Sequence, residues 1–259
     1  MTQSTATALA NKPAWVDLAS SDAAASRDFY GRLFGWDVQV NPDPQYGGYA
    51  LAKVDGSDVA GIGPQMTPGS PTAWMVYIGT DDIDGLATKV QKAGGTVIAP
   101  AFDVGDQGRM AVYQDPSGAF ISAWQPTGMP QFRAYEPNSF GWAELNARGA
   151  DTAIAFYHDV FGWAHTTEPM GEGQPPYTTF TLDGERVAGG MEMNPMVPAE
   201  VPSYWMAYFD VDDVDAAYQR AIEGGAHELV APGEFPGGRF AIVSDPLGAA
   251  FGLLKLAPR

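Results

Sequence analysis

Cysteine is absent from this 259-residue chain, which removes disulfides, thiolate metal sites and cysteine nucleophiles together. Cations are scarce: 14 Lys and Arg stand against 31 Asp and Glu, a formal charge of −17. A field of that sign repels phosphate backbones and anionic lipid, so no nucleic acid and no membrane surface is expected as a partner. No apolar run approaches the ~18 residues that suggest a membrane span. The N-terminal MTQSTATALANKPAW lacks a basic n-region and a sustained apolar stretch, so the expected location is cytoplasmic. Histidine and glutamate are missing from the first half, where residues 1–130 hold 13 Asp, no Glu and no His. GxxxxGK[ST], GxSxG, HExxH and a GxGxxG before a helix do not occur in the chain.

What the chain does contain is 45% hydrophobic residues, 31 Gly and 21 Pro, the composition of a turn-rich globular protein. It also contains itself twice. DFYGRLFGW at 28–36 returns as AFYHDVFGW at 155–163, and WVDL at 15–18 as WAEL at 142–145. VDGSDVAG at 54–61 answers LDGERVAG at 182–189, WMVYIGTDDID at 74–84 answers WMAYFDVDDVD at 205–215, and DPSGAF at 115–120 answers DPLGAAF at 245–251. The common order makes internal duplication the first fact about the fold.

Each half parses alike. A strand from Trp15 precedes an N-cap-like Asp22 and a helix with Phe29, Tyr30, Leu33 and Phe34 on one face. Asp55-Gly56 reads as a hairpin turn. A strand from Trp74 feeds a helix opened by Asp81/Asp82 and closed by Gly94-Gly95, and two more strands flank Asp115-Pro116. The expectation is an α+β protein of four βαβββ units: a first domain over 1–126, a linker over 127–139 and a second domain over 140–259.

The FYxxxFGW helix, the DDxD-opened helix ending in GG and the DPxG turn resemble the vicinal oxygen chelate superfamily of glyoxalases, extradiol dioxygenases and bleomycin-resistance proteins. The likeness covers nearly the whole chain and is similar to two-domain actinobacterial glyoxalase-like proteins. It implies tandem domains, each a cupped mixed sheet. It also implies metal ligands: His or Gln on the first strand, Glu on the fourth, His on the fifth and Glu on the eighth. The matching positions here carry Trp15 and Trp142, Met75 and Met206, and Ser122 and Gly252, none of them a ligand type for such a metal. No cofactor is therefore expected. A minority arrangement would hold a metal between Glu144 and Glu192 with a rim histidine, although His158, His165 and His227 read as surface residues.

In place of ligands the cup is expected to be aromatic and soft, with Trp15, Met75, Ser122, Trp124, Trp142 and Met206 as ligand-binding candidates. Arg109 and Arg239 repeat ahead of the seventh strand, either as anchors for a ligand oxygen or as structural ion pairs, with the Asp of the DP turn as partner. Trp36 and Trp163 read as core. Asp17 and Glu144 repeat at one position and are candidate bases, with Tyr77 and Tyr208 as candidate acids.

The leading expectation is a metal-free protein binding a small aromatic or apolar metabolite, as a pseudo-dimeric monomer or a homodimer. A metal-independent lyase, isomerase or hydrolase of a secondary metabolite using Asp17 or Glu144 is the alternative. A metal-dependent glyoxalase or oxygenase, the activity the family label suggests, fits the residues least.

Overall fold

The computed structural model describes residues 10–127, 132–171 and 173–257. The first repeat runs β1 (Pro13–Ser20), α1 (Ala23–Phe34), β2 (Asp37–Val40), β3 (Ala50–Val54), β4 (Ser57–Pro64), β5 (Ala73–Gly79), α2 (Ile83–Lys92), β6 (Thr96–Val104), β7 (Gly108–Gln114) and β8 (Phe120–Pro126). The second runs β9 (Phe140–Ala147), α3 (Ala150–Phe161), β10 (Ala164–Glu168), β11 (Tyr177–Leu182), β12 (Glu185–Glu192), β13 (Tyr204–Asp210), α4 (Val214–Glu223), β14 (His227–Phe235), β15 (Gly238–Ser244) and β16 (Ala250–Leu256). The expected βαβββ unit thus occurs four times. The strand orders are β2-β3-β4-β1-β5-β8-β7-β6 and β10-β11-β12-β9-β13-β16-β15-β14, two eight-stranded mixed sheets of the same topology. Among the described residues no helix is long and apolar enough to cross a membrane.

Local chemistry accounts for the element ends. Asp22 accepts the N–H groups of Ala24 and Ala25 and caps α1, while Gly35 closes it at φ 71°. Asp82 caps α2 by accepting Gly85 N–H. Asp55 and Gly56 both take positive φ, 49° and 80°, as a two-residue hairpin turn between β3 and β4 requires. Helix α3 departs from this pattern, because its N-cap is Gly149, which has no side chain to offer. The carboxylate of Glu192 takes over, accepting Gly149 N–H at 3.1 Å and Ala150 N–H at 2.8 Å.

The described residues pack into two compact units that interleave the repeats. One is drawn from Met1–Trp15, Val76–Met129 and Ala143–Trp205, the other from Val16–Met75, Pro130–Trp142 and Met206–Arg259. The first unit therefore joins the second βαβββ of one repeat to the first of the other, with α2 against α3. The other unit joins the two remaining βαβββ modules, with α1 against α4. Part of the expected linker, residues 128–131, lies outside the described residues. Beyond it, Arg133 donates to Val54 O at 3.2 Å and to Asp55 Oδ2 at 3.1 Å, fastening that segment to the β3–β4 turn.

The repeated phrase is the core of each unit. In one, Tyr157 OH donates to Asp115 Oδ2 at 2.9 Å and accepts Trp205 Nε1–H at 2.6 Å. In the other, Tyr30 OH donates to Asp245 Oδ2 at 3.0 Å and accepts Trp74 Nε1–H at 2.9 Å. The tyrosine of one FYxxxFGW helix is thus answered by the DPxG aspartate of the other repeat. Burial and the adjacent carboxylate hold both phenols well above their usual pKa, so each stays a hydrogen-bond donor. The closing tryptophans are buried, as expected, and their indoles donate to main-chain carbonyls: Trp36 to Asn138 and Trp163 to Asn11, both at 2.7 Å.

Candidate functional site

Strand β8 builds one wall. Its register sets Ser122 beside Tyr77 of β5 and Val112 of β7, and Trp124 beside Met110. Register partners share a face, so these five side chains point the same way. Tyr113, Ile121 and Ala123 point the other way, toward the side occupied by α2, whose Asp84 acts on the Tyr113 phenol. Desolvation first, and Asp84 second, push that phenol up to about 12. The Trp124 indole lies across Gly108, where an added Cβ would come within 2.7 Å of the ring.

Ser122 is 0% and Trp124 7% exposed, yet Ser122 Oγ and Trp124 Nε1 have no hydrogen-bond partner. They are two of only four such atoms among the described residues. A buried polar atom left without a partner costs about 1–3 kcal/mol, and here two sit on one aromatic face.

The corresponding face of the second repeat is filled differently. Gly252 stands where Ser122 does and Leu254 where Trp124 does, with Tyr208 and Phe240 as their register partners. A Cβ added at Gly252 would fall 1.9 Å from Tyr208 Cδ1, so the tyrosine ring occupies that space. No orphaned polar atom belongs to this face among the described residues.

The candidate bases are placed as follows. Asp17 of β1 pairs in register with Gly61 of β4, and its Oδ2 accepts the hydroxyl of Tyr49 at 3.3 Å. Glu144 of β9 pairs with Gly189 of β12, is 9% exposed and accepts Asn146 Nδ2–H at 3.3 Å. Tyr204 lies near enough to Glu144 for that charge to add to burial in raising its phenol pKa. Tyr49 and Tyr204 were not among the expected acids. The signal for Tyr49 was its counterpart Tyr177 in the second repeat, together with Gly61 and Gly63 two residues apart on β4. Tyr77 and Tyr208 are both buried.

Of the remaining candidates, Trp15 and Met206 are buried, whereas Met75 and Trp142 are partly exposed. Arg109 forks onto Asp84 at 2.6 and 3.1 Å, and Arg239 onto Asp215 at 2.8 and 2.7 Å. The ion-pair partner is thus the first-turn acid of α2 or α4 and not the DP-turn aspartate. The turn aspartate is unavailable because its Oδ1 holds the turn N–H groups and its Oδ2 holds the tyrosine. His158, His165 and His227 are all exposed.

A family-type metal is not fitted by these donors. The ligand positions carry indole, thioether, hydroxyl or nothing, which suit no nitrogen–carboxylate site. The two-carboxylate arrangement also lacks its geometry. Glu144 is in register with Gly189 and Glu192 with Ala147, three residues along the strand, so the two acids face opposite sides of the sheet. Glu192 is moreover engaged in capping α3. Among the described residues no three His, Asp or Glu come together.

One further carboxyl is strained electrostatically. Asp210, at the end of β13, is half-buried, and desolvation raises its pKa to about 6 against the smaller opposing pull of Lys255. The folded chain then holds an extra proton between roughly pH 4 and 6 that the unfolded chain has lost. Stability from this group is therefore present below that window and falls as pH rises through it. Asp210→Asn is expected to flatten the slope and to raise stability at pH 7 by about 2 kcal/mol. Urea titrations of both proteins at pH 4.5 and 7 check it, and an unchanged slope would contradict it.

Comparison with known proteins places this architecture. The model of the Glyoxalase/Bleomycin resistance protein/Dioxygenase superfamily matches twice, over residues 12–122 and 139–253. The Mycobacterium tuberculosis protein named "Putative glyoxylase CFP32" is 41% identical over 95% of each chain. "Anthracycline biosynthesis protein DnrV" of Streptomyces peucetius is 38% identical over 94% of this chain and 93% of its own. Among solved structures, the Mn(II)-bound glyoxalase from Novosphingobium aromaticivorans shares the fold at a TM-score of 0.67 and 16% identity, covering 94% of this chain and 81% of that one. With both halves matched, the chain belongs to the Glyoxalase/Bleomycin resistance protein/Dioxygenase superfamily.

Proposed function

We propose that this protein is a metal-free member of the superfamily that binds a planar aromatic small molecule on the wall formed by Tyr77, Met110, Ser122 and Trp124. The observation that carries the reading is the orphaned pair on β8, Ser122 Oγ and Trp124 Nε1. A hydroxyl and an indole N–H, both buried and unpaired, are matched by a ligand oxygen that accepts from them. The flat indole, phenol and thioether around them favour an aromatic frame. The relative named for anthracycline biosynthesis supports the same ligand class, since anthracyclines are oxygenated polycyclic aromatics.

Titration with 2-hydroxyanthraquinone, followed by calorimetry and tryptophan quenching, tests this. The decisive variant is Ser122→Ala. Removing an unsatisfied hydroxyl should stabilise the ligand-free protein by about 1 kcal/mol and weaken binding about fivefold or more. A core serine would give the first effect without the second. If the wild type binds no member of an aromatic panel, the reading fails.

Glu144 supports a second reading. A carboxylate sunk this deeply beside an amide and a phenol is a candidate general base for metal-independent turnover of the same class of metabolite. Turnover of a bound panel member by wild type and not by Glu144→Gln would favour it.

A further inference from the structure

The two orphaned donors on β8 are set apart along the strand, and their spacing limits what can satisfy them. Ser122 and Trp124 are alternate residues of one strand, so their Cα atoms stand about 6.6 Å apart at the usual rise. The Ser122 hydroxyl stays close to its own backbone, one bond beyond Cβ. The Trp124 indole reaches away from it. A Cβ added at Gly108 would fall 2.7 Å from Trp124 Cζ2 and 2.9 Å from its Cη2. Gly108 is in register with Pro126, two residues beyond Trp124 on β8. The six-membered ring of the indole therefore lies against Gly108, on the side away from Ser122. Nε1 and Cζ2 are both bonded to Cε2, so the N–H is carried in that direction too.

A single oxygen accepts from both donors only if they lie within about 6 Å of each other, twice the usual donor–acceptor distance. The strand rise alone exceeds that, and the tilt of the indole adds to it. One ligand oxygen can serve only one of the two. An indole N–H only donates, whereas a serine hydroxyl both donates and accepts. The group that meets Trp124 must therefore be an acceptor. Beside the donors on β7 stand Val112 and Met110, an isopropyl group and a thioether, so the neighbouring wall is apolar.

We infer that this wall takes a flat dicarbonyl of the para-quinone type, with one carbonyl oxygen at Ser122 Oγ and the other at Trp124 Nε1. The oxygens of a para-quinone point in opposite directions and lie about 5 Å apart, a ring width plus two C=O bonds. With a hydrogen bond at each end, that span bridges donors too far apart for one oxygen. Both oxygens accept only, as Trp124 requires, and the ring between them meets the apolar wall. With no cysteine in the chain, no thiolate is present to add to a quinone ring. In the second repeat Gly252 and Leu254 offer no side-chain donor at the matching positions. The assignment rests on the reading of the β8 wall as an aromatic site and narrows its ligand to one with acceptors on opposite edges.

Three tricyclic compounds of nearly equal size test it. Anthraquinone has carbonyls on opposite edges of its middle ring, phenanthrenequinone has both on one edge, and anthrone has one alone. Equilibrium dialysis against wild type, Ser122→Ala and Trp124→Phe gives the dissociation constants. Affinities are compared as ratios within one protein, so a loss of packing or stability common to all three compounds cancels. Wild type is expected to bind anthraquinone about fivefold or more tighter than either other compound, the gain of a second hydrogen bond. In each variant one donor is gone, and the three constants should converge to within about twofold. Equal binding of anthraquinone and phenanthrenequinone by wild type, or a full preference for anthraquinone kept by Ser122→Ala, overturns the inference. If Ser122→Ala weakens all three compounds alike, the aromatic site stands and only the pair of acceptors is wrong. If wild type binds none of them and no 2-hydroxyanthraquinone, the reading of the site falls and the inference with it.

Discussion

Asp115→Ala is expected to destabilise the protein by about 4 kcal/mol, more than most single substitutions do. Asp115 is almost fully buried, and its Oδ1 accepts Ser117 N–H at 2.8 Å, Ser117 Oγ–H at 2.6 Å and Ala119 N–H at 3.1 Å. Its Oδ2 accepts the Tyr157 hydroxyl, which is itself fully buried. Bonds to a charged acceptor contribute about 1.5–3 kcal/mol each, and truncation would leave several buried donors unpaired at once. Tyr157→Phe deletes one bond and should cost only about 1–2 kcal/mol. The two changes should be far from additive, since the second removes a group already orphaned by the first. Denaturant curves for both singles and the double check this. A loss under about 1 kcal/mol for Asp115→Ala would contradict it, since the turn bonds and the tyrosine bond are removed together. Asp245→Ala should behave alike through Tyr30, Leu247 and Ala249.

Trp163→Ala should cost about 3–5 kcal/mol, the range for truncating a buried large aromatic. Trp163 is 0% exposed and stacks on Tyr157 with ring centroids 5.5 Å apart. It also meets Phe180 at 5.3 Å, and its indole supplies the bond to Asn11 O. Trp163→Phe keeps much of the stacking and loses the donor, so its loss should be about 1–3 kcal/mol. Thermal melts separate the two, the alanine variant melting roughly 6–20 °C lower by the scaling for chains of this size. If both variants cost the same, the hydrogen bond and not the ring packing carries the residue. Either result bears on the repeated phrase, since FGW supplies the cap glycine and the stacking tryptophan in each half.

Much of the fold could be read from local chemistry. Asp22 and Asp82 as caps, Asp55-Gly56 as a hairpin turn, and the apolar face of the first helix all depend on neighbours within a few residues. Repetition then carried those readings from one half to the other. The copying misled in one place. Asp22 has no equivalent acid before α3, and the cap comes from Glu192, 43 residues from the N-cap Gly149. A residue of metal-ligand type therefore does structural work, and Pro64, its counterpart in the first repeat, needs no carboxylate because Asp22 caps its own helix.

The candidate site was legible by residue type and not by contact. Tryptophan, methionine and serine at ligand positions spoke against metal chemistry without any structure, because donor atoms are a property of the side chain. The orphaned Ser122 and Trp124 atoms could not be foreseen, since the absence of a partner is decided by everything that packs nearby. Tyr49 escaped for a related reason: a ring lying on Gly61 and Gly63 is a contact between strands, and glycine in a strand tells only that something comes close.

By itself, the sequence determined the duplication, the four βαβββ units, the absence of thiol chemistry and the wrong donors for a family-type metal. These follow from composition and from order along the chain, which folding does not alter. Only the tertiary structure decided which tyrosine meets which aspartate. Tyr30 and Asp245 are 215 residues apart, Tyr157 and Asp115 are 42 apart, and each pair joins one repeat to the other. Two nearly identical phrases offer each aspartate two chemically equal tyrosines, and the choice between equal partners is made by the path of the backbone.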